Sequence, residues 1–135
     1  MLFLDTNVVI DVLGRNRPEV RRRFAEAKAA GAQIFVPSVV LFELRQGARL
    51  SAREFENNRG IDAMLADGIG VVPFDADDAE ETAGLSADLR KAGREIGPYD
   101  LLIAAQARRR GVTLVTHNLK EFARVPGLVV VDWVD

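Results

Sequence analysis

The chain has 135 residues, 48% of them hydrophobic and 28% charged, a composition typical of an ordinary globular protein, and we interpret residues 1–135 as a single domain. It contains no cysteine, which excludes disulfides and thiolate metal sites, and no apolar run approaches the roughly 20 residues of a membrane span. The net charge of −2 disfavours a non-specific nucleic-acid binder, although local groups of arginines can still contact phosphates.

The first eleven residues predict a strand that ends at a carboxylate. Leu2–Leu4 is a short apolar run, and residues 8–13 have apolar positions at helical spacing. Asp5 therefore follows the carboxyl end of a strand, where open α/β sheets bind ligands. Because Asp is also a favoured N-cap residue, this segment alone is equally consistent with simple capping of the next helix. An acid near the amino terminus and the lack of a basic segment predict no signal peptide and, with the missing cysteines, a cytoplasmic protein.

The next three predicted elements lead to a second acid. A helix from Pro18 to about residue 30 and a strand over residues 33–36 precede a helix over residues 39–50 that Ser38 should cap. In that helix Glu43 lies one turn from two apolar residues and shares their face. Acids rarely occupy such a face unless they are paired, so an internal salt bridge is the structural alternative to a functional role. Arg45 is two residues away and should point elsewhere, which weakens the local version of that alternative.

The middle of the chain predicts two helices around a short strand. Ser51 and Glu54 have the spacing of a capping box for a helix that runs to about Ala66. Residues 69–72 form the predicted strand, and a helix over 75–91 begins acidic and ends basic, which complements its dipole. The first helix should contribute four core residues, namely Phe55, Ile61, Met64 and Leu65.

A third acid begins the most apolar helix. Pro98 suits a first helical position, so Asp100 lies in the first turn of a helix that is apolar nearly all round until Arg108 and should be buried. The helix dipole would stabilise the Asp100 carboxylate there, and dipole complementation alone is a sufficient structural explanation.

The last part of the chain repeats the opening pattern of an apolar strand with a polar exit. A strand over residues 112–115 leads into Thr116, His117 and Asn118, and Asn118 should cap a short helix with Glu121 as the partner in a capping box. We expect His117 to face solvent without a role in the site. A final strand over residues 128–131 completes an α/β fold with a mostly parallel sheet of about five strands flanked by helices.

The polar residues at these positions can meet in one pocket. If the strands that precede Asp5 and Asn118 are neighbours, Glu43 and Asp100 can converge on the same crevice. Two carboxylates about 4 Å apart repel by roughly 4 kcal/mol at an effective dielectric of 20, so either their pKa values rise or a divalent cation binds. Oxygen ligands alone favour Mg²⁺ or Mn²⁺, which commonly serve phosphodiester hydrolysis. The motifs of P-loop, Rossmann, zincin and serine-hydrolase proteins are absent from the sequence.

The same segments carry a resemblance to a known family. The opening LFLDTN, the segment PSVVLFEL around Glu43, the segment YDLLIAA around Asp100, the segment LVTHNLKEF and the tail VPGL followed by DW resemble the PIN-domain nucleases, in particular the VapC-type toxins of type II toxin–antitoxin systems. The resemblance spans essentially the whole chain in the same motif order. It implies a PIN-like three-layer sandwich and an endoribonuclease that depends on Mg²⁺ or Mn²⁺.

The resemblance also implies roles for individual residues. Asp5 and Asp100 would be direct metal ligands, and Glu43 would bind a metal or orient the attacking water. Thr6 and Thr116 would support these ligands from behind. Asn118 stands where many relatives carry an aspartate, so its amide oxygen would complete the site for one ion and binding of a second ion is doubtful.

Partners follow from the resemblance as well. It implies a homodimer and a cognate antitoxin that blocks the site, often with a basic side chain. The RNA substrate, a tRNA or another structured RNA, would approach over arginines near the pocket, with Arg45 and Arg49 as candidates. One alternative is an RNA-binding PIN module that does not cleave. Another is an aspartyl-phosphate phosphatase, which needs an Asp two residues after the first, where Asn7 stands.

Overall fold

The computed structural model describes residues 1–134 and contains one parallel sheet. Its five strands lie in the order β3-β2-β1-β4-β5, and every neighbouring pair is parallel. The prediction of an α/β fold with about five strands is confirmed. The strands are β1 (Leu2–Leu4), β2 (Ile34–Pro37), β3 (Gly70–Val72), β4 (Thr113–Val115) and β5 (Val130–Val131).

Seven helices within the described residues flank this sheet, as predicted for the three-layer arrangement. None of them is long and apolar enough to cross a membrane. The helices are α1 (Thr6–Leu13), α2 (Pro18–Ala29), α3 (Ser38–Leu50), α4 (Glu54–Ala66), α5 (Ala76–Lys91), α6 (Pro98–Arg110) and α7 (Leu119–Phe122).

The strand order creates a crevice beside β1. From β1 the chain builds β2 and β3 on one side of the sheet, and then returns to add β4 and β5 on the other side. The connections after β1 and β4 therefore diverge at the carboxyl edge of the sheet, which is where open α/β sheets bind ligands. The backbone N–H of Asp5 donates to the carbonyl of Val115 at 2.9 Å, so these two strand exits lie side by side.

The core follows the apolar pattern of the sequence, with one clear exception. Phe3 and Leu4 of β1 are fully buried, and residues 103–107 of α6 are buried as its all-round apolar pattern predicts. Phe55, which we expected in the core, is instead 73% exposed. It lies in the first turn of α4, whose buried residues are Ile61 and Met64 further along the helix.

Two predicted helix caps do not form, because each serine hydroxyl has another partner. The Ser38 hydroxyl belongs to the first residue of α3 and accepts a hydrogen bond from the Phe74 N–H at 3.1 Å, which ties α3 to the segment after β3. The Ser51 hydroxyl donates to the Ala48 carbonyl at 2.9 Å and so closes the end of α3, while α4 begins only at Glu54.

Candidate active site

Asp5 connects the exits of β1 and β4. Its Oδ1 accepts from the Thr6 N–H at 2.8 Å and caps α1, while its Oδ2 accepts from the Thr116 hydroxyl at 2.9 Å. The residue is only 6% exposed, and burial raises the pKa of the Asp5 carboxyl more than its hydrogen bonds lower it. Asp5 therefore both caps α1 and lies in the pocket. Because Asp5 is the N-cap, α1 begins at Thr6, two residues earlier than predicted.

Glu43 reaches the same pocket from α3. Its Oε1 accepts a hydrogen bond from the Thr6 hydroxyl at 2.7 Å, so Thr6 connects α1 to this acid. Arg45 does not pair with Glu43, since its guanidinium binds Asn58 Oδ1 at 2.9 Å and Asp62 Oδ1 at 2.5 Å on α4. The local salt bridge that we weighed as the structural explanation of Glu43 is therefore absent.

Asp100 shows that the acids share one electrostatic environment. Its pKa is raised to about 7, first by burial and then by the charges of Asp5, Glu121 and Glu43, with a further contribution from its hydrogen bond to Glu121. A shift of this kind requires the other carboxylates to be near. The three acids that the sequence placed on separate elements are thus brought together at the carboxyl edge of the sheet.

Glu121 is a fourth acid that the sequence analysis assigned only to helix capping. The predicted capping box with Asn118 is wrong, since the Asn118 side chain does not cap α7 and its Nδ2 donates to Glu121 Oε2 at 2.7 Å. Glu121 Oε1 accepts from the Gly97 N–H at 2.7 Å, and these hydrogen bonds lower the pKa of Glu121. The feature of the sequence that could have identified Glu121 is its position on the short helix directly after β4, at the same sheet edge as Asp5.

Asn118 and Thr116 orient this side of the pocket. The Thr116 hydroxyl donates to Asp5 and accepts from the Asn118 N–H at 3.0 Å. Asn118 in turn holds Glu121, so the described contacts give it the position of a support for that acid. Its assignment as an oxygen ligand remains a prediction.

His117 does not face solvent, and that expectation was wrong. Its Nε2 lies 2.6 Å from Asp11 Oδ2 and its Nδ1 lies 2.9 Å from Asp132 Oδ1, with the imidazole side chain 19% exposed. Each ring nitrogen therefore has a carboxylate oxygen as its neighbour. His117 thereby joins α1, the β4 exit and the segment after β5. Sequence reasoning had no means of finding these distant partners.

The acids fit a hard divalent cation in chemistry, though not in their present rotamers. Every candidate ligand at the pocket offers oxygen. The pKa values of Asp5 and Asp100 are raised, chiefly by burial, although the charge of His117 acts to lower the pKa of Asp5. Within residues 1–134, however, no three His, Cys, Asp or Glu side chains are placed closely enough to enclose one ion. Coordination therefore requires these carboxylates to rotate towards each other.

Comparison with known proteins gives a consistent family. The model of the PIN domain matches residues 2–128. The tRNA(fMet)-specific endonuclease VapC of Shigella flexneri is 38% identical over 131 residues, which cover 97% of this chain and 96% of that protein. The structure of VapBC2 from Rickettsia felis bound to a DNA fragment from their promoter is similar with 30% identity and a TM-score of 0.89, covering 98% and 99% of the two chains. DNA-bound VapBC from Salmonella typhimurium is similar with 32% identity and a TM-score of 0.88, covering 98% and 97%.

Proposed function

This chain belongs to the PIN-domain family, and from that premise we propose that it is a VapC-type endoribonuclease toxin that hydrolyses RNA phosphodiester bonds with a carboxylate-bound Mg²⁺ or Mn²⁺. The observation that supports the proposal is the placement of Asp5 and Glu43 on either side of Thr6 at the carboxyl edge of the sheet. The pKa of Asp100 agrees with this placement, since it is raised first by burial and then by the charges of the other acids.

The residues divide the chemistry between them. Asp5 and Asp100 would hold the ion, which supplies Lewis-acid charge for the phosphoryl group and the attacking water when bound. Thr6 fixes one oxygen of Glu43, so the other oxygen is available to orient that water and to accept its proton. Glu121 is held by Gly97 and Asn118 in an orientation that adds a fourth carboxylate to the pocket.

The antitoxin partner fits an apolar groove that leads to Glu43. Between α1, α3 and α4 lies a groove lined by Leu44 and Ile61, with Ile10 53% exposed and Leu13 40% exposed at its rim. Antitoxins accompany the similar toxins in the VapBC structures. We infer that an amphipathic antitoxin segment lies in this groove and places a basic side chain against Glu43.

The remaining partner predictions concern the RNA and a second copy of the chain. Arg45 is engaged with α4, whereas Arg49 is exposed and available for RNA phosphates. The homodimer that the family resemblance implies stays a prediction. The alternative of a PIN module that binds RNA without cleaving it is disfavoured by the full set of acids at the pocket.

The test is RNA digestion by the purified protein under defined metal conditions. We expect cleavage with Mn²⁺ or Mg²⁺, loss of cleavage in EDTA and recovery when excess Mn²⁺ is added. Asp5→Asn should lower the rate by at least about 100-fold, since a ligand contributes several kcal/mol, while the melting temperature stays equal or rises because a poorly solvated charge is removed. Asp88→Asn, at an exposed acid on α5, is the matched control.

Two outcomes would contradict the proposal. A folded Asp5→Asn protein that cuts RNA at the wild-type rate would exclude this pocket as the active site. A wild-type protein that binds RNA but never cuts it, with either metal, would favour the binding module.

A further inference from the structure

Two aromatic residues stand beside the acids of the pocket. Phe42 directly precedes Glu43 on α3, and Tyr99 directly precedes Asp100 on α6. Their rings form an edge-to-face pair with centroids 5.4 Å apart and an interplanar angle of 71°. The ring pair therefore lies between the two helices that carry these acids, with each ring one residue before its acid.

The pair is more exposed than aromatic residues that serve only packing. Phe42 is 42% exposed and Tyr99 is 47% exposed, whereas Phe3 and Phe122 are fully buried. An edge-to-face arrangement leaves ring faces that the partner ring does not cover. The helices that carry Glu43 and Asp100 therefore share a partly exposed aromatic surface.

We propose that Phe42 and Tyr99 form a stacking platform for one unpaired nucleobase of the RNA. The proposal rests on the proposed endoribonuclease function and adds a substrate requirement to it. The base and the phosphate of a nucleotide are covalently joined, so a phosphate held at the acids brings its base to the adjoining rings. Stacking on aromatic side chains accepts any base but requires that the base be unpaired.

The geometry favours a nucleobase over a protein partner. Two rings offer a surface that matches one base, whereas a stable protein interface needs about 800 Å² on each partner. The apolar groove between α1, α3 and α4 is a separate surface, to which the proposed function assigns the protein partner. The platform is instead continuous with the residues that would act on the phosphodiester bond.

A purely structural role is the main competitor. The ring pair joins α3 to α6, and these helices carry Glu43 and Asp100. Loss of a ring could then lower activity by displacing an acid, without any contact to a base. A test must therefore change the base as well as the protein.

The experiment combines ring variants with abasic RNA. Tyr99→Leu and Phe42→Leu are assayed on a cleaved oligonucleotide and on versions in which an abasic residue occupies successive positions around the cut. Each Leu variant should raise KM by about 5- to 100-fold on intact RNA, with a smaller change in kcat. At the abasic position that removes the stacked base, the KM of the wild type should rise by the same factor as the Leu substitutions cause on intact RNA. The KM of the Leu variants should not rise further on that abasic RNA. Tyr99→Phe, which keeps the ring, should behave as wild type.

Controls separate the remaining explanations. Phe55→Leu, at an exposed aromatic residue on α4, should leave KM unchanged. An equal loss on intact and abasic RNA would overturn the platform in favour of a positioning role, and an altered oligomeric state in light scattering would overturn it in favour of an interface between copies. If the wild type cuts no RNA, the proposed function fails. In that case fluorescence anisotropy tests the platform by comparing the affinities of the protein for the intact and the abasic RNA. A higher affinity for the intact RNA would support the platform, and equal affinities would overturn it.

Discussion

Two acidic clusters in this molecule have opposite electrostatics. At the contact between α5 and α6, Asp78 is completely buried, yet its pKa lies well below the usual range. Burial alone would raise that pKa, but hydrogen bonds from Arg110 and Arg109 outweigh it, with Arg109 Nε 2.8 Å from Asp78 Oδ1. At the pocket, Asp5 is buried and Asp100 is partly buried, and the pKa values of both are raised.

The difference lies in whether a buried acid has arginine partners in the same protein. Asp78 has its cations in the same chain, so this cluster stabilises the packing of α5 on α6. The described hydrogen-bond partners of Asp5 are the Thr6 N–H and the Thr116 hydroxyl, and only the charge of His117 acts with them to lower its pKa. A bound cation would supply the charge that Asp78 obtains from its arginines. Burial of an acid therefore does not identify a site, but the hydrogen bonds from arginines distinguish Asp78 from Asp5 and Asp100, whose pKa values are raised.

Removal of the structural acid should have the largest effect. Asp78→Ala removes the buried carboxylate to which Arg109 and Arg110 both donate and leaves them the half-exposed Asp75, and we expect a loss of about 3–5 kcal/mol in the free energy of unfolding. Urea denaturation measures this loss. Asp77→Ala, at a neighbouring side chain that is 81% exposed, should change stability by less than about 0.5 kcal/mol. Equal free energies of unfolding for Asp78→Ala and Asp77→Ala would contradict a stabilising role of the cluster around Asp78.

Removal of a pocket acid should instead change the response to metal. At 100 times its Kd, Mn²⁺ should stabilise the wild type by about 2.7 kcal/mol, because the ion binds the folded state. Asp5→Asn should lose this gain and be at least as stable as the wild type in EDTA. Thermal denaturation with and without Mn²⁺ measures both quantities, and a variant with the full metal response would exclude Asp5 as a ligand.

The two clusters should also respond to pH in opposite directions. The pKa of Asp100 is raised from 3.8 to about 7, so without metal its contribution to stability is fully present below about pH 4 and is lost as the pH rises to about 7. We expect a fall on the order of 2 kcal/mol over this window in EDTA, after allowing for solvent screening. The lowered pKa of Asp78 acts the other way, since its contribution is lost as the pH falls below about 4. Asp100→Asn should flatten the first slope, and an unchanged slope would contradict this assignment.

The acid that the sequence analysis missed should have a moderate effect. Glu121→Gln removes one charge from the pocket while keeping an acceptor for the Gly97 N–H, and we expect about a 10-fold weaker affinity for Mn²⁺, or about 1.4 kcal/mol. Calorimetric titration provides the measurement. Lys120→Gln, at the exposed preceding residue, is the control, and an affinity equal to that of the wild type in Glu121→Gln would remove Glu121 from the site.

The smallest expected effect concerns His117. His117→Asn should lower the free energy of unfolding by about 1 kcal/mol, because both acids retain another partner. Asp11 Oδ2 lies 3.6 Å from Arg17 Nε, and Asp132 Oδ1 accepts from the Val134 N–H at 2.9 Å. Chemical denaturation measures the loss, and Mn²⁺ affinity should not change. A large loss of metal affinity would instead give His117 a role in the pocket.

The sequence was informative wherever local pattern and topology decide the outcome. Apolar runs located all five strands to within two residues at each end, and the exits of the first and fourth strands placed Asp5 and Thr116 at a common edge. The acids on α3 and α6 were recognised because a charge on an apolar helix face or in an apolar helix is conspicuous.

The sequence failed where a long-range partner replaced a local one. Ser38 has the spacing of a cap, but its hydroxyl binds the Phe74 N–H, 36 residues away. Glu121 has the spacing of a capping partner, but Gly97 from another segment holds it. His117 contacts acids on two other segments. Local propensity cannot reveal such contacts, because they depend on how the elements pack.

The bond between Thr116 and Asp5 joins residues 111 positions apart, and Glu121 lies still later in the chain. During translation Asp5 must therefore wait until residues 116–121 have emerged before the pocket exists. A ribosome that synthesises this protein is thus not exposed to a finished site on its own nascent chain until those residues have left the exit tunnel.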